Sequence, residues 1–166
     1  MKVKAYVLIV TVMLLTMSAA TKDVRLVEGL SPGDLAPRIE SLGNESDFNF
    51  QNHSGRYTLV NFWAAYDAES RARNVRFSNE VSKLSSEKIT LCSISLDEKE
   101  SVFQETVKMD KLNETMQFHA EHGKKSALYK KYNLKKGLRN YLINDEGVII
   151  ATNVTPNELI DVLKEI

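Results

Sequence analysis

Leu59-Val60-Asn61-Phe62-Trp63-Ala64-Ala65-Tyr66-Asp67-Ala68-Glu69-Ser70-Arg71-Ala72-Arg73 passes abruptly from an apolar run into a charged segment of helical period. Leu59 to Trp63 is short, nearly uncharged and rich in β-formers, the pattern of a strand buried on both faces. Asp67 suits a helix N-cap, and Ala72, Val75, Phe77, Val81 and Leu84 after it are spaced to predict one apolar stripe on a helix. Strand end, tight turn and helix start therefore meet between Tyr66 and Ser70.

At this junction the chain resembles the thioredoxin-fold family, in particular its exported thiol-disulfide oxidoreductases of the TlpA/ResA type, related to the AhpC/TSA redoxins. Members of that branch carry Val-Asn-Phe-Trp-Ala-x-Trp, then Cys-x-x-Cys, then Arg. Val60 to Tyr66 matches the strand end and Arg71 the basic residue, but Asp67 and Ser70 stand at the two cysteine positions. The resemblance, which runs from Gly29 to the end, implies an α/β thioredoxin-like domain, a central mixed β-sheet flanked by helices. It also implies a degenerate active site.

Dithiol exchange proceeds by thiolate attack on a disulfide and resolution by a second thiol, so it needs two sulfurs within bonding reach. A helix N-terminus carries about half a positive charge and lowers a cysteine pKa placed there. Asp67 puts a carboxylate at that spot. It can take the charge position of the thiolate and accept amide hydrogen bonds, but it cannot carry electrons. Ser70 offers only a hydroxyl, with no histidine in the motif to activate it.

Composition bounds the rest. The 166 residues are 43% hydrophobic and 27% charged, with few Gly and Pro, as in one globular domain. Lys+Arg and Asp+Glu both count 22, so no bulk charge attracts nucleic acid, and none is expected as a partner. Met1 to Ala20 combines Lys2 and Lys4, the apolar run Ala5 to Thr16 and small residues at Ser18-Ala19-Ala20, the pattern of a secretory signal peptide. The alternative, an uncleaved anchor, is disfavoured because a spanning helix needs about 20 apolar residues. No cysteine follows, which excludes a lipoprotein anchor. Cleavage leaves 146 residues with a formal charge of −2, and no stable membrane anchor. The expected organisation is a signal peptide over 1–20, an entry segment over 21–45 and the thioredoxin-like domain over 46–166, exported to a bacterial periplasm.

Export ordinarily favours disulfides, yet Cys92 is the only cysteine and no internal bridge can form. It lies in the alternating run Ile89 to Asp97, which reads as a strand, where a lone cysteine is usually an inert small hydrophobe. Upstream, Gly29 to Ile39 is punctuated by Pro and Gly and reads as irregular; Phe48-Asn49-Phe50 suggests a short strand and Asn52 to Arg56 a turn. Downstream, Glu98 to Met109 reads as a helix, and Asp110 to Gly123 as a polar connection. Its His119 and His122 have the chemistry of metal ligands, but their i, i+3 spacing and the lack of a further cluster favour solvated loop histidines, so no metal or other cofactor is expected. Ser126 to Tyr132 reads as a helix with Leu128 and Tyr129 inward.

Leu138 to Asn144, the turn Asp145-Glu146-Gly147 and Val148 to Thr152 form a predicted hairpin. Family members have Pro-Thr-x-Phe-Leu-Ile-Asp here, which aligns their cis-proline with Leu138; a cis bond before a residue other than proline costs roughly 2.5 to 4 kcal/mol, so a trans bond is expected. The chain closes on the capping box Thr155 and Glu158, Pro156 at the first helical position, and Leu159, Val162, Leu163 and Ile166 on one face. Asn-x-Ser/Thr sequons begin at Asn44, Asn52, Asn113 and Asn153, and carry little meaning in a chain that resembles bacterial proteins.

Both halves of the redox site are altered together. What remains is the surface that active members use to hold polypeptide, with Trp63, Tyr66, Asp67, Leu138 and Arg139 as its candidate binding residues. The first expectation is a non-catalytic polypeptide-binding or regulatory module, with no catalytic residue. The alternative is a thiol oxidoreductase or peroxidase acting through Cys92, which needs an accessible thiolate of low pKa. A third reading, Asp67 and Glu69 as an acid/base pair, competes with their ordinary role as dipole partners in a first helical turn.

Overall fold

A computed structural model describes residues 26–42, 45–48 and 56–165. The expected signal peptide, the sequons at Asn44 and Asn52, and Asn49-Phe50 lie outside them, as does most of the Asn52 to Arg56 turn. In chain order the elements are β1 (Ile39–Leu42), β2 (Glu45–Phe48), β3 (Tyr57–Trp63), α1 (Ala68–Val81), β4 (Ile89–Ser95), α2 (Glu100–Met109), β5 (Gln117–His119), α3 (Ala127–Lys131), β6 (Asn140–Ile143), β7 (Ile149–Thr152) and α4 (Pro156–Glu165). β1 and β2 form an antiparallel pair, so the segment read as irregular already ends in a strand at Ile39.

The main sheet has the order β5-β4-β3-β6-β7, with β3 parallel to β4, β4 parallel to β5, and β6 antiparallel to both β3 and β7. It is a mixed sheet with β3 at its centre, which is why Thr58 to Trp63 is buried without alternation. On one face, Leu59 and Leu91 pack against Phe77 and Val81 of α1 and Leu159 of α4. On the other, Val60, Phe62, Cys92 and Ile94 pack under Leu128 and Tyr132, with Ile39 and Leu42 completing the cover. The outer edge of β7 is closed by the entry segment, where Gly33 N donates to Ile149 O at 2.8 Å and Ile149 N to Asp34 O at 2.9 Å.

Three local readings need correction. The buried face of α1 is Ser70, Asn74, Phe77, Ser78 and Val81, while Ala72 is exposed and Val75 and Leu84 are half-buried. The helix rolls this way because Asn74 docks on polar groups of the sheet. Asn61 Nδ2 donates to Asn74 Oδ1 at 3.2 Å and Ser93 Oγ at 3.0 Å, Ser93 Oγ donates to Asn74 Oδ1, and Asn74 Nδ2 donates to Gln117 Oε1 at 3.0 Å. Buried amides satisfied by one another stay inside despite their polarity. The connection over 110–123 contains the edge strand β5, too short to leave a pattern. His119 is no solvated loop histidine: it is half-buried, stacks on Phe103 with centroids 5.5 Å apart, and places Nε2 2.7 Å from Asp97 O.

The hairpin and the last helix form as expected. Asn144 Oδ1 accepts from Glu146 N at 3.1 Å and Val148 N at 2.8 Å, and Gly147 takes φ +83° in the turn. Thr155 N donates to Glu158 Oε2 at 2.7 Å and Glu158 N to Thr155 Oγ1 at 3.2 Å, the reciprocal pair of a capping box.

Candidate functional site

β3 delivers its C-terminal end to a turn that a remote carboxylate holds. Asp97, buried just past β4, accepts from Ala65 N with both oxygens at 3.0 Å and from Ser95 Oγ at 2.8 Å, so the turn over 64–66 is tied to the neighbouring strand. Nothing in the local pattern around Asp97 marks it for this; its partner lies 32 residues away.

At the start of α1, Asp67 is the N-cap, with Oδ1 accepting from Ser70 N at 2.8 Å. Ser70 is buried, and its hydroxyl donates to Asp67 O at 3.1 Å and accepts from Ala64 N at 3.3 Å. Both residues at the sulfur positions are thus spent on closing the first helical turn. Both hydrogen bonds of the Ser70 hydroxyl go to backbone groups of the turn.

Across from α1, the peptide before Leu138 is trans, as are all peptide bonds among the described residues. Arg73 Nη2 donates to Leu138 O at 2.7 Å and to Phe62 O at 3.4 Å, and Phe62 N donates to Arg139 O at 2.9 Å. Burial holds the Arg73 guanidinium below its ordinary pKa, against the pull of Glu69 and Asp67. Between α1, the Leu138 loop and the loop before α4 runs an open groove of about 650 Å³, lined on its walls by Asp67, Arg73, Leu138, Arg139 and Thr155.

Of the expected binding residues, this groove brings together Asp67, Leu138 and Arg139. Tyr66 stands on the other side of the turn, 53% exposed, in a second hollow of about 610 Å³ with Lys124 Nζ 4.6 Å from its ring centroid. Partial burial, then Asp97, Tyr129, Asp67 and Glu98, push the Tyr66 phenol up to about 12. Trp63 offers no surface: it is fully buried, packed on Phe103, Val107 and Leu112, because the indole turns under α2. Arg71 does not face the groove either; Nε and Nη2 clamp Asp110 at 2.7 and 2.6 Å, which raises the Arg71 pKa and ties α1 to the end of α2.

Cys92 is fully buried at the middle of β4, on the sheet face away from α1. Among the described residues, no three His, Cys, Asp or Glu side chains are grouped to hold a metal ion.

Comparison with known proteins places this geometry among solved relatives. The chain is similar to a thioredoxin-like protein from Parabacteroides distasonis ATCC 8503, at 64% identity over 84% of this chain and 99% of that one, with a TM-score of 0.77. It is also similar to a thiol-disulfide oxidoreductase from Bacteroides fragilis NCTC 9343, at 27% identity over 80% and 98% of the two chains, TM-score 0.61. The thioredoxin domain of a thiol-disulfide oxidoreductase from Bacteroides vulgatus shares the fold, at 20% identity over 82% and 98%, TM-score 0.68. No protein-family model and no curated protein matches the chain.

Proposed function

The chain belongs to the thioredoxin-like family, and from that premise we propose that it is an exported member that holds a polypeptide segment in the groove beside Leu138 without exchanging disulfides. One observation carries the reading: the two positions that need sulfur hold Asp67 and Ser70, and both side chains are engaged in capping α1. A carboxylate and a buried hydroxyl cannot pass the electron pair that disulfide exchange moves between sulfurs. The open groove beside α1, with Leu138 and Arg139 on its wall, supports the binding half of the reading.

The purified protein is expected to leave insulin disulfides unreduced in the presence of dithiothreitol beyond the reagent's own rate; turnover above that rate overturns the reading. It is expected to bind carbamidomethylated insulin B chain, by fluorescence anisotropy, and Leu138→Asp to weaken that binding severalfold. Unchanged binding removes the groove from the account. Export is checked by the N-terminus of protein recovered from the periplasm, expected near Thr21. The one-thiol alternative needs an accessible Cys92, and its burial argues against it. Iodoacetamide should leave Cys92 unmodified in the native protein and alkylate it in urea.

A further inference from the structure

The groove is unevenly charged. Arg73, Arg76, Lys136 and Arg139 line it against two carboxylates, Asp67 and Glu69, in a chain whose formal charge is zero. The imbalance has a source in sequence: from Gly123 to Arg139 come Lys124-Lys125, Lys130-Lys131, Lys135-Lys136 and Arg139 with no Asp or Glu among them. The last of these reach the groove wall opposite α1.

Most of these cations are unpaired. Asp67 and Glu69 sit at the start of α1 and face Arg73, whose guanidinium already serves Leu138 O and whose buried Nε has no acceptor. Arg76 makes one exposed bond, Nη2 to Asn157 Oδ1 at 3.3 Å, and neither Lys136 nor Arg139 forms an ion pair among the described residues. Three cations on the groove walls are therefore left without a carboxylate partner among the described residues. From Asp67 to Arg76 the helix rises about 14 Å, room for about four residues of an extended chain. A uniform polyanion such as nucleic acid would set its phosphates against Asp67 and Glu69 as well as against the cations. A polypeptide, with carboxylates spaced among neutral side chains, can set them against the cations and neutral groups against Asp67 and Glu69.

Resting on the polypeptide-binding reading above, we propose that the groove selects acidic segments, their Asp or Glu side chains set against Arg76, Lys136 and Arg139. Single exposed pairs contribute little, but three cations around one concave surface raise the local potential together and act mainly on selectivity and encounter rate.

The test uses three labelled peptides of about ten residues that differ only in a central block of Glu, Gln or Lys, with a single-stranded oligonucleotide and a phosphatidylglycerol vesicle as further arms. The Glu peptide is expected to bind about five- to tenfold more tightly than the Gln peptide at low salt, with the difference shrinking at about 0.5 M salt. Lys136→Glu combined with Arg139→Glu should reverse the preference toward the Lys peptide, and Arg76→Glu on the opposite wall should shift it the same way, with melting temperatures recorded for each. Equal binding of the Glu and Gln peptides overturns acid selection and leaves the groove as a polypeptide site. Binding of no peptide ends both readings. Tighter retention of the oligonucleotide or the vesicle overturns the proposal in favour of that class.

Discussion

Two helix starts in this molecule use the same chemistry to different ends. At α4, Thr155 and Glu158 cap each other in full view of solvent. At α1, Asp67 caps from the groove wall while Ser70, three residues on, turns inward to bond Asp67 O and Ala64 N. The i, i+3 pair at α1 is a pair of oxygen side chains that stabilises a turn. The difference teaches that Asp67 and Ser70 leave no hole at α1, because they satisfy orphan amides as a cap does.

The sharpest way to break this comparison is to return the sulfurs. Asp67→Cys with Ser70→Cys should take insulin reduction from none to a readily measured rate, since strand, turn and groove are all in place. The same pair put at Thr155 and Glu158 should stay silent, having a helix start on the far wall of the groove but no β3 turn leading into it. If both double variants are silent, the frame at α1 has lost more than its sulfurs. The next effect is on stability. Ser70→Ala leaves the buried Ala64 amide without its side-chain acceptor, a loss of about 1–3 kcal/mol. Asp67→Ala and Thr155→Ala each remove one N-cap, about 1 kcal/mol apiece. Chemical denaturation should rank Ser70→Ala first and the two cap variants together behind it; equal losses for all three would make Ser70 an ordinary cap member.

The elements that read clearly in the sequence are those whose signal is apolar or local. β3 stands out because six of its seven residues are buried; α4 because its cap residues lie three apart; the β6–β7 hairpin because Asn144 and Gly147 supply its turn. What did not read depends on remote or polar partners. Asn74 faces inward only because Asn61, Ser93 and Gln117 meet it there, and an apolar count assigns that face to Ala72 instead. β5 holds three residues, below the length at which alternation is visible. At the site, Asp67 and Leu138 were identifiable from the motif frame, but the Asp97 clamp on Ala65 joins positions 32 residues apart with no pattern to announce it. Trp63 looked like a surface aromatic beside the motif, and only the packing of Phe103 and Val107 from α2 decides that it is covered.

The smallest effect separates the two caps by pH. Hydrogen bonds from Thr155, its backbone amide first and its hydroxyl second, hold the Glu158 carboxyl below its ordinary value of 4.5. A carboxylate whose folded pKa is depressed adds stability that is present above the unfolded pKa and is lost as pH falls through the folded one. The contribution of Glu158 should thus be complete at neutral pH, begin to fade near pH 4.5 and vanish below its folded pKa. Glu158→Gln keeps the shape of the box without the charge, so the melting temperatures of wild type and variant should differ at pH 7 and converge in acid. A constant gap across that range would mean that the side chain contributes through its fit alone. Since α4 packs on α1 through Leu159 and Phe77, fraying at the exposed cap is also the mildest available way to ask whether the groove keeps its shape when its far wall loosens.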